Sequence, residues 1–259
     1  MIAKSLQQLN AALPEGVSLV AVSKFHPVER LQEAYTAGQR IFAESRPQEL
    51  AAKVPLMPSD VQWHFIGHLQ TNKLKLVLPY VAMVQSVDSL HLLEAISAWA
   101  VANGRVVDVL LELHLGAEET KQGFSEEEIL ALVLSAGKED TPSETHGHPR
   151  PCKGEGPAAE SRGRGRSEAK AVSEGVSSFP AFPGVRIRGL MGMASNTEDM
   201  ERVEEEFTRI ETLFHIIRAM ELPDFDQLSI GMSGDWPVAV RHSATMVRIG
   251  TDIFGPREY

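Results

Sequence analysis

The sequence predicts an α/β fold, a single (β/α)8 TIM-type barrel over residues 1–259. Three observations carry that prediction. Eight short apolar runs are spread along the 259 residues, each followed by turn chemistry. Helical patterns lie between most of them, the alternation that builds a parallel sheet. Length and run count together fit a closed barrel, with a doubly wound open sheet as the alternative topology. No internal repeat with a period of 20 to 50 residues is present.

Taken in order, the N-terminal stretch MIAKSLQQLNAALPEG mixes polar and apolar positions and reads as a short amphipathic helix, without the apolar core of a signal peptide. The first strand is 19–22, which stops abruptly at Ser23 and Lys24. Pro27 opens the next helix and Gly38 closes it. The second strand is 40–43, after which Glu44, Ser45, Arg46 and Pro47 read as a loop and a helix start. The third strand is 63–66 and the fourth 81–86, with Asp88 or Ser89 capping a helix over 90–102 that Asn103 and Gly104 end. The fifth is 106–113, and Ser125 with Glu128 three positions on forms a capping box for the helix that follows.

Composition then changes. From about Gly137 to Ser178 large apolar residues are scarce, and Gly, Pro, Ser, Glu and Arg dominate. Such a stretch cannot bury enough surface to offset the entropy of ordering. It reads as a disordered insertion in a surface loop, with an interdomain linker as the alternative. The pattern resumes with a sixth strand at 185–191, a helix over 199–220 capped by Asn196 or Thr197, a seventh strand at 227–230 and an eighth at 246–249.

With a formal net charge of −10, the chain lacks the basic surface that phosphate neutralisation needs, which argues against nucleic acid as a partner. One cysteine, Cys152, leaves no intrachain disulfide framework. No apolar run approaches the roughly 18 residues of a membrane span, so no membrane is expected and the cytoplasm is the simplest compartment.

The chemistry gathers at strand ends. A lysine desolvated at the C-terminal end of a strand, as Lys24 would be, loses part of its preference for the charged form and can attack a carbonyl to give a Schiff base. A lysine that merely snorkels into solvent is the alternative. The loops after strands seven and eight, Gly231-Met232-Ser233-Gly234 and Gly250-Thr251, sit where barrels often hold phosphate. Their glycines allow backbone amides close to an anion, and Ser233 and Thr251 add hydroxyl donors. Arg248 lies inside the apolar MVRI strand, so its charge needs a partner, either a carboxylate on a neighbouring strand or a ligand. One ligand, pyridoxal 5'-phosphate, would satisfy all three features, with an aldehyde for Lys24, a phosphate for the two loops and a ring nitrogen for Arg248. His64 and His68 lie four apart, but Gly67 between them and the strand context argue against a metal pair. Asp108 and Glu112 in the fifth strand are expected to be solvated or ion-paired.

The motifs VAVSK, WHFIGHLQTNK, ETKQGF, RGLMGMAS, LSIGMS and MVRIGTDIFG, in this order, resemble those of the pyridoxal phosphate homeostasis family over nearly the whole chain outside 137–178. The resemblance implies a fold-type III barrel, similar to the N-terminal domain of alanine racemase. It implies that Lys24 carries the cofactor as a Schiff base, that Ser233, Gly250 and Thr251 hold its phosphate, and that Arg248 faces the pyridine nitrogen. Met232 belongs to the same cofactor loop. Where the family often has Gly-Glu-Asn after the second strand, this chain has Ala43-Glu44-Ser45, and Ser45 is expected to replace part of the Asn contact. The function implied is a pyridoxal phosphate carrier or reservoir, monomeric, non-catalytic, and handing cofactor to apo-enzymes. A pyridoxal phosphate-dependent racemase is the alternative, and an interaction protein using the RGRGR stretch is a third class.

Overall fold

The computed structural model describes residues 1–116, 122–136, 181–222 and 224–256; the stretch read as an insertion lies outside the described residues. The eight strands are β1 (Ser18–Val22), β2 (Ile41–Glu44), β3 (Gln62–Phe65), β4 (Val81–Val87), β5 (Val107–Leu113), β6 (Val185–Gly192), β7 (Gln227–Ser229) and β8 (Met246–Ile249). They pair in parallel, in sequence order, and β8 closes on β1. Helices α1 (Ile2–Ala12), α2 (Val28–Thr36), α3 (Pro47–Lys53), α4 (Leu74–Val77), α5 (Leu90–Ala102), α6 (Glu126–Ala136), α7 (Met200–Arg218), α8 (Trp236–Ala239) and α9 (Thr251–Phe254) run outside it.

Strand alternation divides the apolar residues into two cores. Phe42, Trp63, Phe65, Val84, Leu111 and their like point outward and bury the helices. Val20, Val22, Ala43, Met83, Leu110, Met191 and Met246 point inward and fill the barrel. The inward set ends below the C-terminal mouth, where polar residues take over the inward positions.

Turn chemistry follows the sequence in most places. Pro27 caps α2 and Gly38 leaves it at φ +104°. Ser125 and Glu128 form the reciprocal capping box, at 3.2 and 2.8 Å. Ser89 rather than Asp88 accepts the Leu92 amide at the start of α5. The cap of α7 is neither Asn196 nor Thr197 but Asp199, whose carboxylate accepts from Glu201 and Arg202. Thr197 instead accepts from the Asp199 amide, one step outside the helix. The second strand also runs one residue further than expected, to Glu44, which is fully buried.

Candidate functional site

Lys24 is half-buried in the turn that leaves β1, on the side that alternation from Val20 and Val22 directs inward. Its two neighbours are pinned. Ser23 is fully buried, and its hydroxyl donates to Glu44 Oε1 at 2.6 Å. Phe25 has φ +68°, a left-handed conformation that costs an ordinary side chain about 1–2 kcal/mol. Its amide donates to Glu49 Oε1 at 2.7 Å, and Arg46 stacks on its ring at 4.4 Å.

Behind that turn lies a cluster the sequence reading passed over. The buried Lys53 ammonium donates to Ser23 O, Glu44 Oε1 and Glu49 Oε1 at 2.9, 2.8 and 2.7 Å, which uses all three of its protons. Glu44 Oε2 is buried and has no hydrogen-bond partner among the described residues, and desolvation raises the carboxyl above its ordinary range despite the Lys53 charge. The available signal was an acidic residue directly after IFA, which reads equally well as the first loop position.

Arg248 lies level with Val20 across the β1–β8 pairing, and is 3% exposed. It makes no carboxylate pair among the described residues. Nη1 donates to Ser229 O and Oγ, both at 2.7 Å, and Nη2 to Gly192 O at 2.8 Å. Burial pulls its pKa down to about 10, partly offset by Glu112 and Asp235, so it stays cationic at neutral pH. From Ser229 the bonding continues inward in one direction. The Ser229 hydroxyl donates to Gln85 Oε1 at 2.8 Å, and Gln85 Nε2 meets His64 Nδ1 at 2.7 Å. Since arginine only donates, Ser229 must accept from it and pass its own proton to Gln85. His64 Nδ1 must then accept, so His64 is the neutral Nε2–H tautomer. Burial favours that form, pushing the His64 pKa down to about 4. This polar line fixes the guanidinium on a set of neutral oxygens.

The other expected residues gather at the same end. The loops after β7 and β8 are neighbours there. Gly231 has φ +92°, and its carbonyl accepts from the Arg248 amide at 2.9 Å. Ser233 is half-buried in the Met232–Asp235 turn, and Met232 is 36% exposed at the mouth. Gly250 and Thr251 start α9, where a Cβ on Gly250 would meet Val22 O at 3.3 Å. Ser45 is half-buried above β2, against Gly67, where any Cβ would overlap the Ser45 carbonyl.

The histidines part company, His64 to Gln85 and His68 to Asp88 Oδ2 at 2.7 Å. So do the two acids of β5. Asp108 is ion-paired as expected, with Arg186 at 2.7 Å and Arg188 at 3.1 Å. Glu112 is buried and forms no ion pair among the described residues. It is 7% exposed and points inward. It lies four residues beyond Asp108, on the same face of β5 but at the strand's C-terminal end, at the mouth. Burial, reinforced by Asp88 and offset by Arg248 and His68, raises its pKa to about 7.

That shift makes a stability prediction. A carboxyl raised in the folded state binds its proton more tightly there, so stability falls as pH climbs from about 4.5 to about 7 and is flat above. Glu112→Gln removes the effect. In urea unfolding without added cofactor, the variant should match wild type near pH 4 and lead it by up to about 3 kcal/mol at pH 8. A gap that does not open with pH would contradict the buried placement.

Fold and mouth together define a barrel of the type at the N-terminus of alanine racemase. The family model "Alanine racemase, N-terminal domain" matches residues 1–144. Alanine racemase from Clostridium difficile superposes with a TM-score of 0.71 at 12% identity, over 100% of this chain and 57% of that one, a likeness of fold. Within that class the chain belongs to the pyridoxal phosphate homeostasis proteins. It is 32% identical over 251 residues to the one from Vibrio alginolyticus, covering 95% of this chain and 89% of that protein. The Schizosaccharomyces pombe member is 31% identical over 261 residues, 99% and 90% of the two. PipY of Synechococcus elongatus, solved without and with pyridoxal phosphate, gives TM-scores of 0.77 and 0.76 at 30% identity, over 98% of this chain and 100% of that one.

Proposed function

We propose that this chain binds pyridoxal 5'-phosphate at the barrel mouth and serves its homeostasis as a carrier or reservoir, with Lys24 as the covalent anchor. The observation that carries the reading is Arg248, a buried cation that among the described residues is held by neutral oxygens and lies level with the strand that delivers Lys24. The donor set fits the group: a cation for the ring nitrogen, an amine for the aldehyde, hydroxyls and close-approach glycines for the phosphate. When bound, the cofactor supplies an aldehyde that a lysine can capture reversibly.

The residues then divide the work. Lys24 holds the aldehyde carbon. Arg248 donates to the ring nitrogen and, being cationic itself, leaves that nitrogen without a proton. Such a ring is a poor electron sink, which favours a carrier over an enzyme. Ser233, Thr251 and the Gly250 backbone hold the phosphate, Met232 covers it, and Ser45 borders the ring. A racemase of this fold takes a tyrosine as its second acid-base at the mouth. Tyr35 donates to Asp60 outside the barrel, and Tyr80 sits at the N-terminal end of β4. The remaining parts of the reading are a cytoplasmic monomer, apo-enzymes as recipients and neither nucleic acid nor membrane as partner. Among the described residues no helix is long and apolar enough to cross a membrane.

The test separates phosphate from ring. A charge-assisted hydrogen bond contributes about 1.5–3 kcal/mol, so losing one weakens binding roughly 10- to 150-fold. Ser233→Ala with Thr251→Val should therefore weaken pyridoxal phosphate at least that much and pyridoxal, which lacks the phosphate, hardly at all. Spectrophotometric titration of both ligands against both proteins decides it. Equal losses would place the phosphate elsewhere.

A further inference from the structure

A cavity of about 290 Å³ opens at the ends of β5 and β6, with Met232 of the loop after β7 on its wall. Glu112 lines it, together with Leu115, Met193, Ser195, Asn196 and Met232. Glu112 accepts no side-chain hydrogen bond from any described residue, although it is 7% exposed. Its nearest charged company comes from three other elements: Asp88 after β4, His68 after β3 and Arg248 on β8. His68 is already engaged by Asp88, and Arg248 by Ser229 and Gly192. Among the described residues this buried carboxylate lines the cavity without a direct ion-pair partner, with Arg248 and His68 acting on it only through space.

We propose that this cavity is a subsite for a small primary amine, whose ammonium group is held by Glu112 next to the cofactor. The leucine and methionine walls accept a short aliphatic body, and Ser195 and Asn196 a polar end. The proposal rests on the cofactor reading above and gives the carrier a release route. An ammonium cannot attack the cofactor; a neutral amine can. Glu112, which titrates close to neutrality, takes one proton from the ammonium. The amine nitrogen then bonds to the aldehyde-derived carbon, the bond from that carbon to the Lys24 nitrogen breaks, and the proton passes from Glu112 to the departing lysine. Nothing is oxidised or reduced. The cofactor leaves attached to the amine.

Ethylamine is the probe. In one arm, borohydride first fixes the cofactor to the full-length protein, so that nothing can leave, and ethylamine binding is measured by calorimetry. Wild type should bind saturably, and Glu112→Gln at least tenfold more weakly. In the other arm, unreduced protein is mixed with ethylamine and release is followed by absorbance. Release should saturate with amine and rise through a pH near 7, and both features should vanish in Glu112→Gln while Glu112→Asp keeps the pH dependence. Thermal melts confirm that both variants fold. Equal ethylamine affinity in wild type and Glu112→Gln, or no saturation in wild type, overturns the subsite. If the cofactor reading itself fails, borohydride fixes no adduct at Lys24, which mass spectrometry reports separately.

Discussion

Replacing Lys24 by alanine is expected to abolish the visible absorbance of the cofactor-loaded protein and the adduct that borohydride fixes. The expectation follows from position. The chain must turn sharply after β1 for Lys24 to stay at the mouth, and Phe25 accepts a left-handed backbone to make that turn. The strain persists because Glu49 takes the Phe25 amide and Lys53 takes the Ser23 carbonyl. Lys24 is therefore a side chain on a fixed stalk between two anchored residues. The other described lysine near it, Lys53, has all three protons committed in a buried cluster, so it cannot stand in as the nucleophile. In Lys24→Ala the phosphate loops and Arg248 are untouched, so pyridoxal phosphate should still bind, but reversibly, and be removed by gel filtration. Peptide mapping of borohydride-treated wild type checks the assignment: an adduct at any lysine other than Lys24 would overturn it.

The strands were legible because each is an apolar run ending in turn chemistry, and β1, β6 and β8 lie within a residue or so of where the pattern puts them. Lys24, Arg248 and the two glycine-bearing loops were legible for a related reason: each breaks its local pattern, a charge or a hydroxyl where a barrel strand should simply stop. What the sequence hid is pairwise. Gln85 and Ser229 look like ordinary small polar residues in strands, and only the closed barrel places them between His64 and Arg248. Glu112 was misread because a strand carrying both Asp108 and Glu112 gives no sign which end faces water. Asp108 meets two arginines of β6, a partner strand about 80 residues away in sequence, while Glu112 meets a cavity. Glu44 was assigned to a loop because its burial depends on Lys53, nine positions later on α3.

That last pair supports the second large effect. Lys53→Met should destabilise the protein by about 3–5 kcal/mol at neutral pH, because it removes one partner of a buried ion pair and strands the other. Glu49, whose side chain is 20% exposed, can rehydrate; Glu44, at 0%, cannot. Glu44 Oε2 already lacks a partner among the described residues, and burial already raises the Glu44 pKa with Lys53 in place, so losing the cation raises it further. The sign of the pH dependence follows. A carboxyl raised in the folded state costs stability as pH climbs through its shifted range, so the deficit of Lys53→Met should be smallest in acid and grow towards neutrality. Adding Glu44→Gln should recover much of the loss, since the stranded charge is gone and Ser23 keeps an oxygen acceptor at that position. Urea midpoints for the two single variants and the double, at pH 5 and pH 7.5, give the coupling directly. A deficit independent of pH would mean that Lys53 acts through its aliphatic packing and not through Glu44. If the pairing argument holds, the same variant should also release cofactor faster at a pH where it is still folded, because the Ser23 carbonyl loses its partner and the turn that presents Lys24 loses one of its two anchors.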